Sequence, residues 1–512
     1  MDQTDSEVIV VGAGPTGLML AGELGLAGIS TIVVERLTEP TRQSRALGFS
    51  VRTVEEFSQR GLRPRFGDIG LIPVGHFGGL PLDFRVIEGG SFGVRGVPQA
   101  RTESILAGWA GELGARILRG FDVIAIEPDE HGVDVDVATP GGRRRLRARY
   151  VVGCDGGRST VRRLAGIDFP GTEPTLEMWT ADVGGVRLRL RPSGENGRGG
   201  MVLVLPVGPD VTRVVVRERN APVRQTQDPP TFEQVADSFE RITGEDIHHG
   251  TPLWTSCFTD SSRQATEYRR GRVFLAGDAA HIHMPIGAQG ISAGLGDAVN
   301  LGWKLAAEIH GHAPPGLLDT YHTERQPVAA RIITNTLAQR DLYLSGEEMQ
   351  PLRDVFAELM TYLDVQRHLA GMITGLDIRY DVGAGDDPLL GRRVPDLDLV
   401  VDDLPTSVYE LLATGRALLL DLRDDPRVRQ AAGPWADRVA TVTARAAGPG
   451  SPYRGLLVRP DGYVAWVASG GEPDLDDLTT TLTRWFGQLD DGIPAQPALV
   501  NAPLDYMRGV PL

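Results

Sequence analysis

The chain contains little cysteine, with two such residues among 512. Cys154 and Cys257 are far apart in the sequence, so neither a disulfide framework nor a cysteine-based zinc site is expected. Low cysteine usage is typical of proteins kept in a reducing compartment. We therefore expect a cytoplasmic protein.

Long apolar runs and blocks of like charge are also missing. No run of 18 apolar residues is present, which argues against a membrane-spanning helix. The opening residues, MDQTDSEVIVVG, are acidic and lead into a strand pattern, unlike the basic start of a secretory signal. The net charge is −15, which argues against nucleic acid and anionic membranes as partners. The composition is that of an ordinary soluble globular protein.

Glycine, by contrast, is abundant, and its pattern near the N-terminus is informative. EVIVVGAGPTGLMLAGELGLAG predicts a buried strand, a tight turn and a helix, and STIVVER predicts a second buried strand. The turn carries Gly12, Gly14 and Gly17 in a G-x-G-x-x-G pattern, and Glu35 ends the second strand. In a parallel β-α-β unit such glycines let a pyrophosphate approach the helix N-terminus, while the acid binds ribose. We predict a dinucleotide site rather than a purely structural turn.

Two later motifs distinguish FAD from NAD, which share this fingerprint. VVGCDGGRSTVRR places Asp155 after a strand, and RVFLAGDAAH places Asp278 at the end of another buried strand. A second acid at a strand end suits the ribityl or ribose hydroxyls of an extended ligand. A NAD dehydrogenase has no need of it, so the motifs favour FAD.

Two further regions can be distinguished in the rest of the sequence. Alternating strands between residues 172 and 257 predict an antiparallel sheet, and a loop-like stretch near residues 375–395 precedes a small α/β unit. We predict an FAD-binding domain at 1–171 and 258–375, a substrate domain at 172–257 and a C-terminal domain at 395–512.

The three motifs, in this order and at these separations, resemble the flavin-dependent aromatic hydroxylases of the para-hydroxybenzoate hydroxylase type. The resemblance covers residues 7 to about 370. RALGFSVRTVEEFSQRG, HFGGLPLDF and SRQATEYRRGRVFLAGDAAH resemble the subgroup that acts on aromatic polyketides, especially the angucycline hydroxylases. The implied fold is α/β: a Rossmann-like, GR2-type FAD-binding domain, an inserted antiparallel β-sheet substrate domain and a C-terminal thioredoxin-like domain lacking C-x-x-C.

The resemblance also implies a set of residues that bind FAD non-covalently. They are Gly12, Gly14, Gly17, Glu35, Arg36, Arg45, Gln99, Asp155, Asp278, Ala288, Gln289, Gly290, Ile291 and Ser292. Asp155 belongs to a motif that the family uses for both FAD and NADPH, and Asp278 matches the aspartate that bonds the ribityl chain. A helix beginning near Ile291 would point its N-terminus at the flavin pyrimidine ring, where its dipole stabilises negative charge.

The stretch HIHMPIGAQGIS, residues 281–292, matches the loop that faces the flavin in this family. Pro285, Gly287 and Gly290 are the implied catalytic loop residues. Related enzymes usually show P-x-G-G-Q-G-M-N here, so Ala288 adds a Cβ that restricts φ, and Ser292 replaces an amide. We expect FAD binding to tolerate both changes, and oxygen reactivity or reaction outcome to be altered.

Several polar and aromatic residues allow other interpretations. His281 and His283 have a spacing that suits a metal, but no acid or cysteine cluster joins them in sequence, so we expect no metal site. His283, Trp179 and Met201 are the candidate substrate contacts. Asp297 and Lys304 are expected on a solvated helix surface. No catalytic base is assigned.

The implied activity is that of a monooxygenase that uses FAD, NADPH and O₂. Reduced flavin would form a C4a-hydroperoxide that hydroxylates a polycyclic aromatic polyketide in antibiotic biosynthesis. No second glycine fingerprint is present, which fits transient NADPH binding. Baeyer–Villiger oxygenation, an FAD oxidase or dehydrogenase that needs no NADPH, and a non-catalytic flavin-fold binding protein remain alternatives. Both a monomer and a homo-oligomer remain open.

Overall fold

The computed structural model describes residues 4–41, 43–87, 89, 91–197, 199–224, 226, 228–447 and 451–488. The first strands are β1 (Ser6–Val11), β2 (Thr31–Glu35), β3 (Gly48–Ser50), β4 (Leu71–Ile72), β5 (Val74–Phe77), β6 (Leu80–Asp83), β7 (Gly93–Arg95), β8 (Arg116–Arg119), β9 (Asp122–Pro128), β10 (Val133–Thr139), β11 (Gly142–Gly153) and β12 (Gly171–Thr172). The helices among them are α1 (Pro15–Leu26), α2 (Val51–Ser58), α3 (Gln99–Glu112) and α4 (Thr160–Leu164).

The middle of the chain alternates between an antiparallel sheet and long helices. Its strands are β13 (Glu177–Gly184), β14 (Arg191–Asn196), β15 (Gly200–Gly208), β16 (Val211–Glu218), β17 (Thr251–Thr259), β18 (Ser262–Gln264), β19 (Arg269–Arg270), β20 (Val273–Leu275) and β21 (His281–Ile282). Its helices are α5 (Phe232–Thr243), α6 (Gln289–His310), α7 (Asp319–Leu344), α8 (Gln350–Leu359) and α9 (Leu363–Thr374).

The C-terminal part forms a smaller α/β unit. Its strands are β22 (Asp398–Val401), β23 (Leu404–Ser407), β24 (Ala417–Asp421), β25 (Val439–Thr443), β26 (Arg445–Ala446), β27 (Tyr453–Val458) and β28 (Val464–Ser469). Its helices are α10 (Val408–Leu411), α11 (Pro426–Ala432) and α12 (Leu475–Phe486).

The largest sheet has the strand order β19-β20-β11-β1-β2-β8, with β10 and β9 extending it from β11. Strands β20, β11, β1, β2 and β8 run parallel to one another, so their carboxyl ends meet at one edge. The apolar runs of β1 and β2 are buried because helices cover this sheet. The predicted strand-turn-helix and the antiparallel meander are both confirmed.

A five-stranded antiparallel sheet, β14-β15-β16-β13-β17, forms the second layer. Valines on one face of this sheet pack with Phe239 of α5 in a single core cluster. In the C-terminal unit a four-stranded sheet, β25-β24-β27-β28, packs with α11 and α12. The predicted α/β fold class is thereby confirmed, whereas the domain limits given above stay predictions.

Buried ionic groups join the C-terminal unit to helices α6 and α7. Arg459, on the β27–β28 turn, donates two hydrogen bonds to Glu324 of α7 at 2.6 and 2.9 Å and also pairs with Asp461. Lys304 of α6 donates to the same Glu324 carboxylate at 2.7 Å. Lys304 and Asp297 are both 0% exposed. The expectation that they lie on a solvated surface is therefore wrong, because the C-terminal unit and α7 cover that face of α6.

A second buried group lies on α2. Glu56 is 4% exposed, and its Oε1 lies 3.5 Å from Arg52 Nε. Burial raises the pKa of Glu56 to about 7, although the positive charges of Arg52 and Arg325 lower it. Glu55 and Glu23 raise the pKa further. None of the helices within the described residues is long and apolar enough to cross a bilayer.

Replacing Glu56 with glutamine is expected to stabilise the fold at pH 8 but not near pH 4.5. The carboxyl of the unfolded chain ionises near pH 4.5 and that of the folded chain near 7, so wild-type stability falls as the pH rises between these values. The loss is at most about 3–4 kcal/mol, at 1.36 kcal/mol per pKa unit. Thermal unfolding at both pH values measures it. Glu112→Gln, at an exposed position on α3, is the control, and an equal effect of Glu56→Gln at both pH values would contradict the assignment.

Candidate functional site

The glycine loop between β1 and α1 lies at the edge where the parallel strands end. Gly12 has φ +109°, and a Cβ there would lie 2.4 Å from the carbonyl oxygen of Cys154. A Cβ on Gly17 would lie 2.0 Å from the carbonyl oxygen of Gly12. No atom lies within 4 Å of a Cβ built on Gly14, the residue before α1. This open space before a helix N-terminus fits the pyrophosphate of a dinucleotide.

Glu35 is held beside this loop by backbone amides. Its Oε2 accepts a hydrogen bond from Ala13 N at 2.9 Å, and its Oε1 accepts one from Leu37 N at 2.8 Å. A carboxylate has about four acceptor positions, so both oxygens retain capacity for ribose hydroxyls. The neighbouring Arg36 is exposed.

Asp155 also accepts several hydrogen bonds from its own surroundings. Its Oδ2 accepts from Thr160 N at 2.6 Å and Val161 N at 3.1 Å, and its Oδ1 accepts from the Ser159 hydroxyl. These bonds satisfy amides that begin α4, which is the role of a helix cap. The structure thus gives Asp155 a local structural role, and its contact with cofactor stays a prediction.

Arg45 lies in a loop fixed by the start of α3. Gln99 Oε1 accepts from Ala46 N at 3.3 Å, and Ser44 Oγ accepts from Ala100 N at 3.2 Å. The predicted Gln99 therefore holds the loop that carries Arg45.

Asp278 lies in a short 3₁₀ turn after β20. The residue is exposed, yet desolvation by the surrounding protein raises the pKa of its carboxyl, and His281 and Arg45 oppose that rise. Two predicted cofactor residues, Asp278 and Arg45, are therefore close enough to interact electrostatically.

Asp297, on α6, holds the Asp278 turn in place. Its Oδ2 accepts from Gly277 N at 3.0 Å and contacts His281 Nε2 at 2.7 Å, while its Oδ1 accepts from Arg325 Nε at 2.7 Å. The sequence-based expectation missed this role. The signal was available, because Asp297, Asn300 and Lys304 recur at helical spacing and so share one face of α6.

The two histidines of the 281–292 loop point to different partners. His281 binds the Asp297 carboxylate, whereas His283 Nδ1 lies 2.8 Å from the Met284 carbonyl oxygen. Within the described ranges, no three His, Cys, Asp or Glu side chains are grouped as metal ligands. The loop is thus organised by hydrogen bonds.

His283 has a distinctive electrostatic state. A carbonyl only accepts, so Nδ1 carries the proton and Nε2 is left as an acceptor. Nε2 is buried without a partner among the described residues and would lie 3.5 Å from a Cβ on Gly290. Burial lowers the pKa of His283 to about 4, so the ring is neutral near pH 7.

The rest of the loop has unusual backbone geometry. Pro285 precedes a 3₁₀ turn in which Gly287 has φ +76°, and Ala288 has φ +55° just before α6 begins at Gln289. A left-handed alanine costs about 1–2 kcal/mol, so the restriction expected from its Cβ is present as strain. Ser292 Oγ accepts from Ser50 N at 2.9 Å. Gly290, Ile291 and Ser292 form the first turn of α6, close to where the helix was expected to start.

The face of the antiparallel sheet opposite α5 packs against the 281–292 loop. Met178, Met201 and Val215 form one core cluster with Met284 and Ile286 of the loop. Trp179, one residue along β13, packs instead on the α5 face. Met178 and Trp179 therefore lie on opposite faces of β13, and only Met178 meets the loop. Met201 also lies on the loop face, and the substrate contacts of Trp179 and Met201 stay predictions.

Comparison with known protein families agrees with this arrangement. Residues 5–336 match the FAD binding domain family, and residues 387–488 match the aromatic-ring hydroxylase C-terminal family. The chain belongs to the FAD-dependent aromatic-ring hydroxylases. The predicted enzyme class and its FAD cofactor are confirmed.

This hydroxylase is similar over nearly its whole length to known proteins. It is 64% identical to AlpK, whose crystal structure superposes with a TM-score of 0.89 and covers 95% of this chain and 100% of that one. CabE, an aromatic hydroxylase from angucycline biosynthesis, is 54% identical with a TM-score of 0.91 and the same coverage. The 12-dehydrotetracycline 5-monooxygenase/anhydrotetracycline 6-monooxygenase of Streptomyces rimosus is 45% identical over 94% of this chain and 99% of its own.

Replacing Asp278 with alanine is expected to weaken FAD binding by the hydroxylase by about tenfold or more. The reason is the loss of the cleft-facing acceptor, since hydrogen bonds to charged groups contribute about 1.5–3 kcal/mol. Flavin content after dialysis and titration of the apoprotein measure it. Asp319→Ala, at an exposed position at the start of α7, is the control. Unchanged flavin content in Asp278→Ala would exclude the assigned role.

Proposed function

We propose that this hydroxylase oxygenates a polycyclic aromatic polyketide, with NADPH as reductant and O₂ as oxygen source, and that ring hydroxylation in antibiotic biosynthesis is its task. The observation that supports the substrate class is the similarity over nearly the whole chain to CabE, an aromatic hydroxylase from angucycline biosynthesis, and to the tetracycline monooxygenase of Streptomyces rimosus.

Bound FAD would supply electron transfer from NADPH to O₂ and the activated oxygen. The chain's own residues would do the rest. Gly12, Gly14 and Glu35 would hold the ADP half, while Asp278 and the start of α6 would hold the ribityl chain and ring. Packed apolar side chains around the loop would exclude water, which protects a reactive oxygen species from side reactions.

His283 would orient the substrate. Its unpartnered Nε2 accepts a hydrogen bond, and the ring is neutral near pH 7, so a phenolic hydroxyl is the matching donor. We propose that NADPH binds transiently at the protein surface. We also propose that the enzyme is cytoplasmic, where both unpaired cysteines stay reduced.

The decisive experiment measures NADPH oxidation, O₂ uptake and product mass together. Purified holoenzyme is mixed with anhydrotetracycline or with a hydroxylated benz[a]anthraquinone, the angucycline ring system. The proposal expects substrate-stimulated NADPH consumption and a product heavier by one oxygen atom. Turnover without NADPH would indicate an oxidase or dehydrogenase, and bound flavin without turnover of any polycyclic aromatic compound would indicate a binding protein. A product that opens by uptake of water in alkali would indicate Baeyer–Villiger oxygenation.

Replacing His283 with phenylalanine is expected to raise KM for a phenolic substrate about tenfold, because one hydrogen bond of about 1–1.5 kcal/mol is lost. Steady-state kinetics at saturating NADPH measure this, and flavin content is expected to stay at the wild-type value. His283→Gln, which retains an acceptor, is the matched variant. Equal KM values in all three proteins would contradict the contact.

A further inference from the structure

A cavity of about 780 Å³ lies between helices α6 and α7 and the C-terminal unit. Its volume is in the range of small-molecule sites. It borders the face of α6 that carries Ser292, Gly296 and Asn300, whereas the face with Gly294 packs on Thr16 of the glycine loop helix. Neither the glycine loop nor Asp278 lines it. The cavity is therefore separate from the FAD cleft, and only Gln289 and Ser292 connect it to the 281–292 loop.

The α2 side of the cavity holds two polar atoms without partners. Ser50 Oγ and Glu56 Oε2 are buried and make no hydrogen bond within the described residues, whereas Arg52 Nε pairs with Glu56 Oε1 at 3.5 Å. Ser50 and Glu56 are 2% and 4% exposed, and both line the cavity. Buried polar groups are normally paired, since leaving one unpaired costs about 1–3 kcal/mol. A molecule in the cavity that supplies both a donor and an acceptor would satisfy these two atoms.

The remaining wall is mainly apolar and aromatic. Val328 and Ile332 of α7 face Ile373 of α9, and Tyr463 and Trp485 contribute aromatic rings from the C-terminal unit. A flat ring system suits these surfaces, because aromatic pairs gain stacking energy beyond their buried area.

Two arginines on the cavity lining are exposed and carry no carboxylate partner in the part of the chain that is described. Arg379 uses Nε for the Leu390 carbonyl, and Arg484 lies near the Trp485 ring at 5.5 Å. Both guanidinium groups thus keep donors for a carboxylate. Arg331 differs, since it pairs with Asp377. Asp381, also on the lining and exposed, accepts from Gly383 N.

We propose that this cavity is a second binding site, for an aromatic carboxylate of fused-ring size. Its rings lie between α7, α9 and the C-terminal aromatic side chains. Its carboxylate pairs with Arg379 and Arg484, and a ring carbonyl or hydroxyl reaches Ser50 Oγ and Glu56 Oε2. The site is independent of the proposed reaction. Through Ser292, whose hydroxyl accepts from Ser50 N, occupancy also reaches the start of α6.

The test is calorimetric titration of the holoenzyme with anthraquinone-2-carboxylate. We expect saturable binding of one molecule and a shift in the flavin absorbance spectrum. The double variant Arg379→Gln/Arg484→Gln should bind about tenfold more weakly, as should the neutral 2-hydroxymethylanthraquinone on wild type. Arg445→Gln, at an arginine with a 75% exposed side chain in the same unit, is the control.

A second variant tests whether the ligand binds in this cavity or at the FAD site. Ile332→Trp should fill the cavity and abolish binding, while flavin content stays at the wild-type value. The proposal is overturned if the double arginine variant binds anthraquinone-2-carboxylate as tightly as wild type does. It is also overturned if Ile332→Trp with full flavin content still binds this ligand. Absence of binding to wild type would show that water alone occupies the cavity and would overturn it as well. Decanoate binding as tightly as the aromatic acid would overturn the aromatic class.

Discussion

Replacing Gly17 with alanine is expected to abolish FAD retention and to lower the unfolding temperature together. The added Cβ would lie 2.0 Å from the Gly12 carbonyl oxygen and 3.2 Å from the Cys154 Cβ. Gly12 directly follows β1 and Cys154 directly follows β11, and these two paired strands of the buried sheet leave neither residue room to move. Overpacking of this kind costs about 1–3 kcal/mol or more, and α1 must move away from the pyrophosphate position. Flavin absorbance per protein and thermal unfolding of the apoprotein measure the two effects.

Two other glycines give matched controls for this prediction. Gly14→Ala meets no atom within 4 Å and has an ordinary φ of −79°, so apoprotein stability should stay near wild type while FAD affinity falls. Gly108→Ala, on exposed α3, should leave FAD binding unchanged and add about 0.5–1 kcal/mol of stability. If Gly14→Ala retained full FAD affinity, the pyrophosphate would lie elsewhere.

Replacing Arg459 with alanine is expected to destabilise the protein by about 3–5 kcal/mol, as when one partner of a buried ion pair is removed. Arg459 is 0% exposed, binds Glu324 through two hydrogen bonds and stacks 4.4 Å from the Trp485 ring centre. Its loss leaves Asp461 and part of the Glu324 charge buried without a cation. Urea unfolding followed by circular dichroism measures the change in midpoint.

Two further variants distinguish the effect of the buried Arg459 ion pairs from that of an exposed ion pair. Arg445→Ala, whose pair with Asp403 is exposed, should cost less than about 1 kcal/mol. Arg459→Met combined with Asp461→Asn should be less destabilising than Arg459→Ala, since the uncompensated Asp461 charge is removed and Glu324 keeps its pair with Lys304. Equal midpoints for Arg459→Ala and Arg445→Ala would contradict a structural role for the network.

Through this ionic network the C-terminal unit, which lacks a C-x-x-C motif, supports the structure around helices α6 and α7. Glu324 adjoins Arg325 in α7, and Arg325 donates to Asp297, which in turn accepts from Gly277 N. Packing of the C-terminal unit on α6 and α7 therefore supports the turn that presents Asp278. We expect damage at Arg459 to weaken FAD retention as well as stability.

Much of the fold and of the cofactor site could be predicted from local patterns. The βαβ unit of residues 6–35 has its own strand, turn and helix signals, and Gly12 and Gly17 are required by contacts within that unit and with β11. Asp278 could be placed near the carboxyl edge of the sheet because it follows the buried strand β20 after two residues. Side chains whose environment depends on distant segments were harder to place: Asp297 and Lys304 were expected on a solvated surface but are buried.

The sequence by itself determined the family, the α/β class, the cofactor and the glycine loop, because these depend on residues close together in the chain. Only the tertiary structure decided that the polar face of α6 is buried, which side of β13 meets the 281–292 loop, and that His281 binds a carboxylate. The same holds for the second cavity, whose walls come from six separate segments. Burial and pairing are set by segments that meet only on folding, so no local pattern encodes them.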